Sequence, residues 1–154
     1  MTQMPQDPRE RLNILVATSR EYEAQANQVQ MQIDFLNQTI AAIRIAGETI
    51  EGLGMMQEGQ EILLPLANLA FIKTKVMDTS KVILNVGAGV NIEKSIGAAK
   101  DSLDKRLEDL TKSQMQLRQA LQQLVQQIEQ IRAEIEKLAA QMQQGRQQQP
   151  MMGS

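Results

Sequence analysis

Apolar residues recur at alternating spacings of three and four near both ends of the chain. One array runs Leu12, Leu15, Ser19, Tyr22, Ala26, Val29, Ile33, Leu36, Ile40, Ile43, Gly47, Ile50. The other runs Ile96, Leu103, Leu107, Leu110, Gln114, Leu117, Leu121, Leu124, Ile128, Ile131, Ile135, Leu138, Met142. Such a period lays a single apolar stripe along a helix, and a second helix must cover it. The two stripes predict an antiparallel helical pair, with helices over residues 8–52 and 95–144. Asp7-Pro8 supplies a cap and a first helical residue, Gly52 and Gly54 a stop, Ser95 a second cap and Gly145 a second stop. The first helix would be roughly 65 Å long at the standard rise.

Between the arrays, over residues 61–94, the period changes. Ile62–Leu66, Leu69–Val76, Lys81–Val86 and Val90–Lys94 read as short strands divided by Asp78-Thr79-Ser80 and Gly87-Ala88-Gly89, an arrangement expected to form two hairpins. Pro65 suits a strand edge, because it has no N–H for a ladder. Ile62-Leu63-Leu64 and Val82-Ile83-Leu84 carry apolar groups toward both faces, and a lone hairpin is marginal in water. The economical solution is a barrel completed by strands from several chains, with Leu64, Leu66, Phe71, Ile72, Val76, Val82, Leu84, Val86, Val90 and Ile92 as the oligomerising residues. The expected fold is therefore mainly α: a long antiparallel two-helix coiled coil joined by two β-hairpins that complete an intersubunit barrel. The competing arrangement folds a small hairpin back onto its own coil.

Composition narrows the chemistry. With 154 residues, 2% aromatics and no Trp, the chain reads as a single domain, 1–154, without a large globular core. It has no Cys and no His, which removes disulfides, thiolate catalysis, imidazole metal sites and Ser-His-Asp triads. A net charge of -2 with interspersed signs argues against nucleic acid. Residues 62–72 are too short and too interrupted for a membrane span, and the N-terminus has no signal-peptide pattern, so a cytoplasmic protein is expected. Residues 1–7 and the Gln-rich 145–154 read as disordered tails. Gly89-Val90-Asn91-Ile92-Glu93-Lys94-Ser95 resembles a phosphate loop but places Glu93 where a glycine must admit phosphate. No cofactor, metal or catalytic residue is expected.

The run Phe71-Ile72-Lys73-Thr74-Lys75-Val76-Met77-Asp78-Thr79-Ser80-Lys81-Val82-Ile83-Leu84-Asn85-Val86-Gly87-Ala88-Gly89-Val90, set between two heptad helices, resembles the α-class subunit of archaeal prefoldin. Two hairpins rather than one mark that class. The turn after Pro65-Leu66 departs from the family's Gly-rich form, being Ala67-Asn68-Leu69. The resemblance implies a hexamer of two α and four β-class subunits, built on a double β-barrel from which six coiled coils project. It also implies an ATP-independent holdase that binds unfolded polypeptide at the coil ends and passes it to a group II chaperonin. The alternative from another class is a coiled-coil oligomerisation scaffold without chaperone activity.

If Gly52 and Ile92 are level, Leu12 falls opposite about Glu134, and Leu138 and Met142 continue the stripe past their partner. The expected client-binding residues are Leu12, Ile14, Leu15, Val16, Ile131, Ile135, Leu138 and Met142, with Met4, Met151 and Met152 on the extensions beside them. By the same register Met31, Phe35 and Met115 would form a side patch. Ser19, Ala26 and Gln114 weaken the outer seam, predicting a coil that opens readily.

Overall fold

The structure is a computed structural model and describes residues 7–67 and 69–147. Its elements are α1 (Pro8–Gly54), β1 (Glu61–Leu66), β2 (Ala70–Lys75), β3 (Lys81–Gly87), β4 (Val90–Ser95) and α2 (Ile96–Gln147). The caps are as the sequence requires. Arg9 N donates to Asp7 Oδ1 at 2.9 Å, and Ala98 N donates to Ser95 Oγ at 3.2 Å. Both helices outlast the expected stops. α1 passes through Gly52 and ends where Met55 N and Met56 N donate to Gly52 O and Leu53 O, both at 3.1 Å, in a tightened last turn. α2 runs through Gly145 to Gln147: a single glycine costs a helix only about 1 kcal/mol, and Arg146 complements the carbonyl end of the helix. Residues 1–6 and 148–154, including Met4, Met151 and Met152, lie outside the described residues.

The chain forms two compact units. One comprises Met1–Phe35 with Gln114–Ser154, the other Leu36–Ser113. In the central unit, Ile43, Ile50, Ala99 and Leu103 form the buried cluster, with Ala46, Ile96, Leu107, Leu110, Val82 and Leu84 packed around it. Lys100 Nζ donates to Glu51 Oε2 at 3.0 Å across the two helical segments. Gly54 lies against Ile96, whose Cγ2 would be 3.4 Å from a Cβ at Gly54. Level residues are therefore Gly54 and Ile96, not Gly52 and Ile92.

Each hairpin is a two-stranded antiparallel sheet, β1 with β2 and β3 with β4. In the first, Ile62 faces Thr74, Leu64 faces Ile72 and Leu66 faces Ala70. In the second, Val82 faces Lys94 and Leu84 faces Ile92, with a bulge between Asn85 and Gly87. Ala88 and Gly89 close it with φ of 49° and 75°, both positive, as a primed two-residue turn demands. The two hairpins repeat at a spacing of twenty residues: Ile62 and Leu64 correspond to Val82 and Leu84, and Ile72 to Ile92.

In the terminal unit the helices run antiparallel. Asp7, Pro8 and Arg9 share one groove with Met142, Gly145 and Arg146, and Arg11 and Leu15 share another with Glu134, Lys137, Leu138 and Gln141. Leu15, Ile33 and Ile128 are buried along this seam.

Candidate functional site

The first hairpin has one face without a single charge: Ile62, Leu64 and Leu66 on β1, Ala70, Ile72 and Thr74 on β2. Leu64 is 50% exposed and Ile72 45%, although they sit directly across from each other. The opposite face carries Glu61, Lys73 and Lys75 together with Leu63, Pro65 and Phe71, and Phe71 is 68% exposed. An apolar sheet face of this kind in water is a surface awaiting cover. Of the expected oligomerising residues, Leu64, Leu66, Phe71, Ile72, Val86, Val90 and Ile92 are exposed, but Phe71 lies on the charged face.

Three of the expected oligomerising residues are spoken for within the chain. Val76 is only 6% exposed, held where Gly59 N donates to Val76 O at 2.7 Å and Val76 N to Gln60 O at 3.0 Å. Val82 and Leu84 pack against the Ile43, Ile50, Ala99 and Leu103 cluster. Lys94 pins the same face, donating to Ser102 Oγ at 2.7 Å. The second hairpin is thus seated on its own helices, the competing arrangement of the two the sequence allowed. The first hairpin keeps its equivalent face open. The phosphate-loop-like run forms the β3–β4 turn and β4, where the Glu93 carboxylate pairs with Lys81 at 3.6 Å.

In the terminal unit the expected overhang of α2 is absent among the described residues. Leu138 lines a groove with Arg11 and Leu15, and Met142 one with Pro8 and Arg9. Within this unit Glu23 pairs with Arg132, so α1 reaches the end of α2. Leu15 is buried, Leu12, Val16, Ile131, Ile135, Leu138 and Met142 are half-buried, and Ile14 is exposed. Met31, Phe35 and Met115 are all exposed. With Glu23 paired to Arg132, however, Met31 is level with the residues around Leu124, which places Met115 roughly 13 Å away along the axis rather than beside it.

One polar group crosses the terminal seam. Ser19 is buried at an a position, and its hydroxyl donates to Glu23 Oε1 at 3.3 Å. Arg132 Nη2 donates to the same oxygen at 2.8 Å. The Arg132 hydrogen bond is the main reason the Glu23 carboxyl titrates below the usual glutamate range. Beside it Glu23, Ala26, Asn27, Val125, Ile128, Glu129 and Arg132 line a shallow opening where Ala26 is too small to fill the seam. The small seam residues Ser19 and Ala26 were legible in the sequence; the ion pair was not, because it depends on register.

Comparison with known proteins agrees with this arrangement. The family profile described as "Prefoldin subunit" matches residues 22–141. The chain belongs to the prefoldin family. A prefoldin subunit alpha from Methanothrix thermoacetophila is 29% identical over 113 residues, spanning 73% of this chain and 74% of its own. One from Pyrococcus horikoshii is 36% identical over 94 residues, 57% of this chain and 64% of its own. Human prefoldin subunit 5 is 29% identical over 108 residues, 66% and 70% of the two chains. Among solved structures, the filamentous PFD from Methanocaldococcus jannaschii superposes with a TM-score of 0.65 at 29% identity, covering 75% of this chain and 96% of that one. Two long helices and two small antiparallel strand pairs are the arrangement that matches this prefoldin structure. Among the described residues no helix is long and apolar enough to cross a membrane, and no three acidic, His or Cys side chains gather to hold a metal.

Proposed function

We propose that this chain is the α-class subunit of a prefoldin hexamer, an ATP-independent holdase that works in the cytoplasm. The carrying observation is the uncharged face of the first hairpin, exposed at Leu64, Leu66, Ala70 and Ile72 and half-buried at Ile62 and Thr74, on a chain of the prefoldin family. Covering that face requires other chains: four β-class subunits and a second copy of this one. The helical pairs then project from the shared hub and hold unfolded polypeptide, which passes to a group II chaperonin.

Client binding is assigned to the terminal unit, on Leu12, Ile14, Leu15, Val16, Ile131, Ile135, Leu138 and Met142. Ile14 offers an apolar contact as it stands. The seam residues among them become available when the helices part, and Ser19 and Ala26 make that parting easy. Met31 and Phe35, one turn apart on α1, add an exposed apolar pair. Contacts at several tips on one client build avidity without a tight pocket.

The test combines this chain with a β-class prefoldin subunit, measures native mass, and follows aggregation of a chemically denatured enzyme without nucleotide. The proposal expects a hexameric mass and suppression of aggregation; truncation after Gln130 should preserve the hexamer and abolish suppression. A particle that assembles yet leaves aggregation unchanged would mark a scaffold instead. A second reading, homopolymerisation of this chain alone, has support from the filamentous relative. It predicts masses that grow with concentration in the absence of any partner.

A further inference from the structure

One opening in the terminal unit sets an apolar wall beside a carboxylate that no cation of the chain neutralises. Val125, Ile128, Glu129 and Arg132 follow one another at spacings of three, one and three, so they share one face of α2. Glu23 and Ala26, three apart on α1, line the same opening. Ile128 is buried and Val125 exposed, so the apolar lining runs from the seam to the surface. The opening measures about 390 Å³, at the small end for ligand sites, and admits a side chain rather than a compact molecule.

Charge around it is unequal. Arg132 Nη2 is engaged by Glu23 Oε1 at 2.8 Å, and Ser19 Oγ donates to the same oxygen at 3.3 Å. Among the described residues Glu129 is in no ion pair. Two carboxylates against one guanidinium leave an excess of negative charge. An acidic occupant would meet repulsion here. A purely apolar occupant would use the wall and gain nothing from Glu129. Lysine and arginine side chains use both, since the methylene stem covers apolar surface while the cationic head stays at the wet edge.

We infer that this opening is a subsite for a lysine or arginine side chain of a bound unfolded segment, so that the chain selects clients with cations interspersed among apolar residues. The inference rests on the holdase reading above and names its client class. Repulsion of acidic segments matters as much as attraction of basic ones, because specificity is a difference between two affinities. The subsite is open while the helices are together, so it needs no parting of the seam.

Three fluorescent peptides of equal leucine and serine content, carrying lysines, glutamines or glutamates, are titrated against the full chain and followed by anisotropy. Native mass is measured on its assembly with a β-class prefoldin subunit. Wild type should bind the lysine peptide about two- to fivefold tighter than the glutamine peptide, the scale of an exposed ion pair, and the glutamate peptide weakest. Glu129→Gln should erase the lysine preference and leave the glutamine peptide's affinity unchanged. Glu129→Lys should reverse the preference. Ala26→Leu, which narrows the opening, should bring the lysine peptide down to the glutamine peptide's level. Glu21→Gln removes the same charge from an exposed position that does not line the opening, and should keep the preference. Equal affinity of wild type for the lysine and glutamine peptides, or a preference that survives Glu129→Gln, overturns the inference. So does equal loss in Glu21→Gln, which would mark the general field of the particle. A changed native mass in Glu129→Gln would put a neighbouring subunit's cation in the opening, and overturns it too. Binding of none of the peptides by a particle that still suppresses aggregation sinks the subsite alone; a particle that does neither counts against the holdase reading itself.

Discussion

Glu23 on α1 receives a hydrogen bond from Arg132 on α2 at 2.8 Å, although 109 residues separate them in sequence. The bond ties the two helices together beside a seam that carries the small residues Ser19 and Ala26. The folded pKa of Glu23 is depressed chiefly by that bond. A carboxylate with a depressed folded pKa stabilises the fold above its unfolded pKa, and the contribution disappears as pH falls through the folded value. Acidification below the usual glutamate range should loosen this unit. Arg132→Gln should lower Tm slightly at neutral pH, since both groups are exposed, and should flatten the acid limb of the Tm–pH profile. An unchanged acid limb in the variant would show that the pair carries none of it.

Gly47 occupies a seam position in the middle of α1, and a Cβ there meets nothing within 4 Å. Glycine inside a helix is less favourable than alanine by about 0.5–1 kcal/mol. Gly47→Ala should therefore raise stability by about that amount in denaturant melts followed by helicity. A fall in stability would mean that the seam needs close backbone approach at this point.

Leu64 and Leu84 are equivalent residues of the two hairpins with opposite surroundings. Leu84 packs on the helical cluster of its own chain, whereas Leu64 is half exposed. Leu84→Ala should destabilise the isolated chain by about 2 kcal/mol, toward the low end for core truncations because the residue is only partly buried. Leu64→Ser should leave that stability within about 0.5 kcal/mol, as surface changes do, while weakening association with partner subunits. Paired melting and native-mass measurements on both variants would check the contrast. Similar melting losses in the two would contradict it.

Ala88 holds a φ of 49° at the first position of the β3–β4 turn. Left-handed backbone costs an L-residue other than Gly, Asn or Asp about 1 kcal/mol. Ala88→Asn should stabilise the hairpin by roughly 0.5–1 kcal/mol, since Asn-Gly is the favoured pair for this turn. Gly89→Ala, at φ 75°, should do the reverse. Amide exchange at Lys94 and Ile92 would read both effects locally.

Much of the fold was legible from residue pattern alone because its causes are local. Heptad spacing, the caps at Asp7 and Ser95, and the turn residues between short β-branched runs each act within a few positions. The exposed hairpin residues Leu64, Leu66 and Ile72 could be named for the same reason. Val82 and Leu84 could not be told apart from them, since an alternating strand looks the same whether a helix covers it or not. The tip residues Leu138 and Met142 were placed beyond their partner because a register was assumed at Gly52 and Ile92, whereas within the terminal unit Glu23 pairs with Arg132 and α1 reaches the end of α2.

The sequence by itself determined two amphipathic helices, their capped beginnings and two apolar hairpins, because periodicity and capping are short-range properties of the chain. Tertiary structure decided the register of the helices and which hairpin is seated at home. A heptad stripe looks the same after a slide of seven residues, so only the closing contacts can set where the helices meet. Both hairpins carry apolar residues at equivalent positions, and it is the second whose Val82 and Leu84 pack against Ile43, Ile50 and Leu103. The first was left with its apolar face open to water.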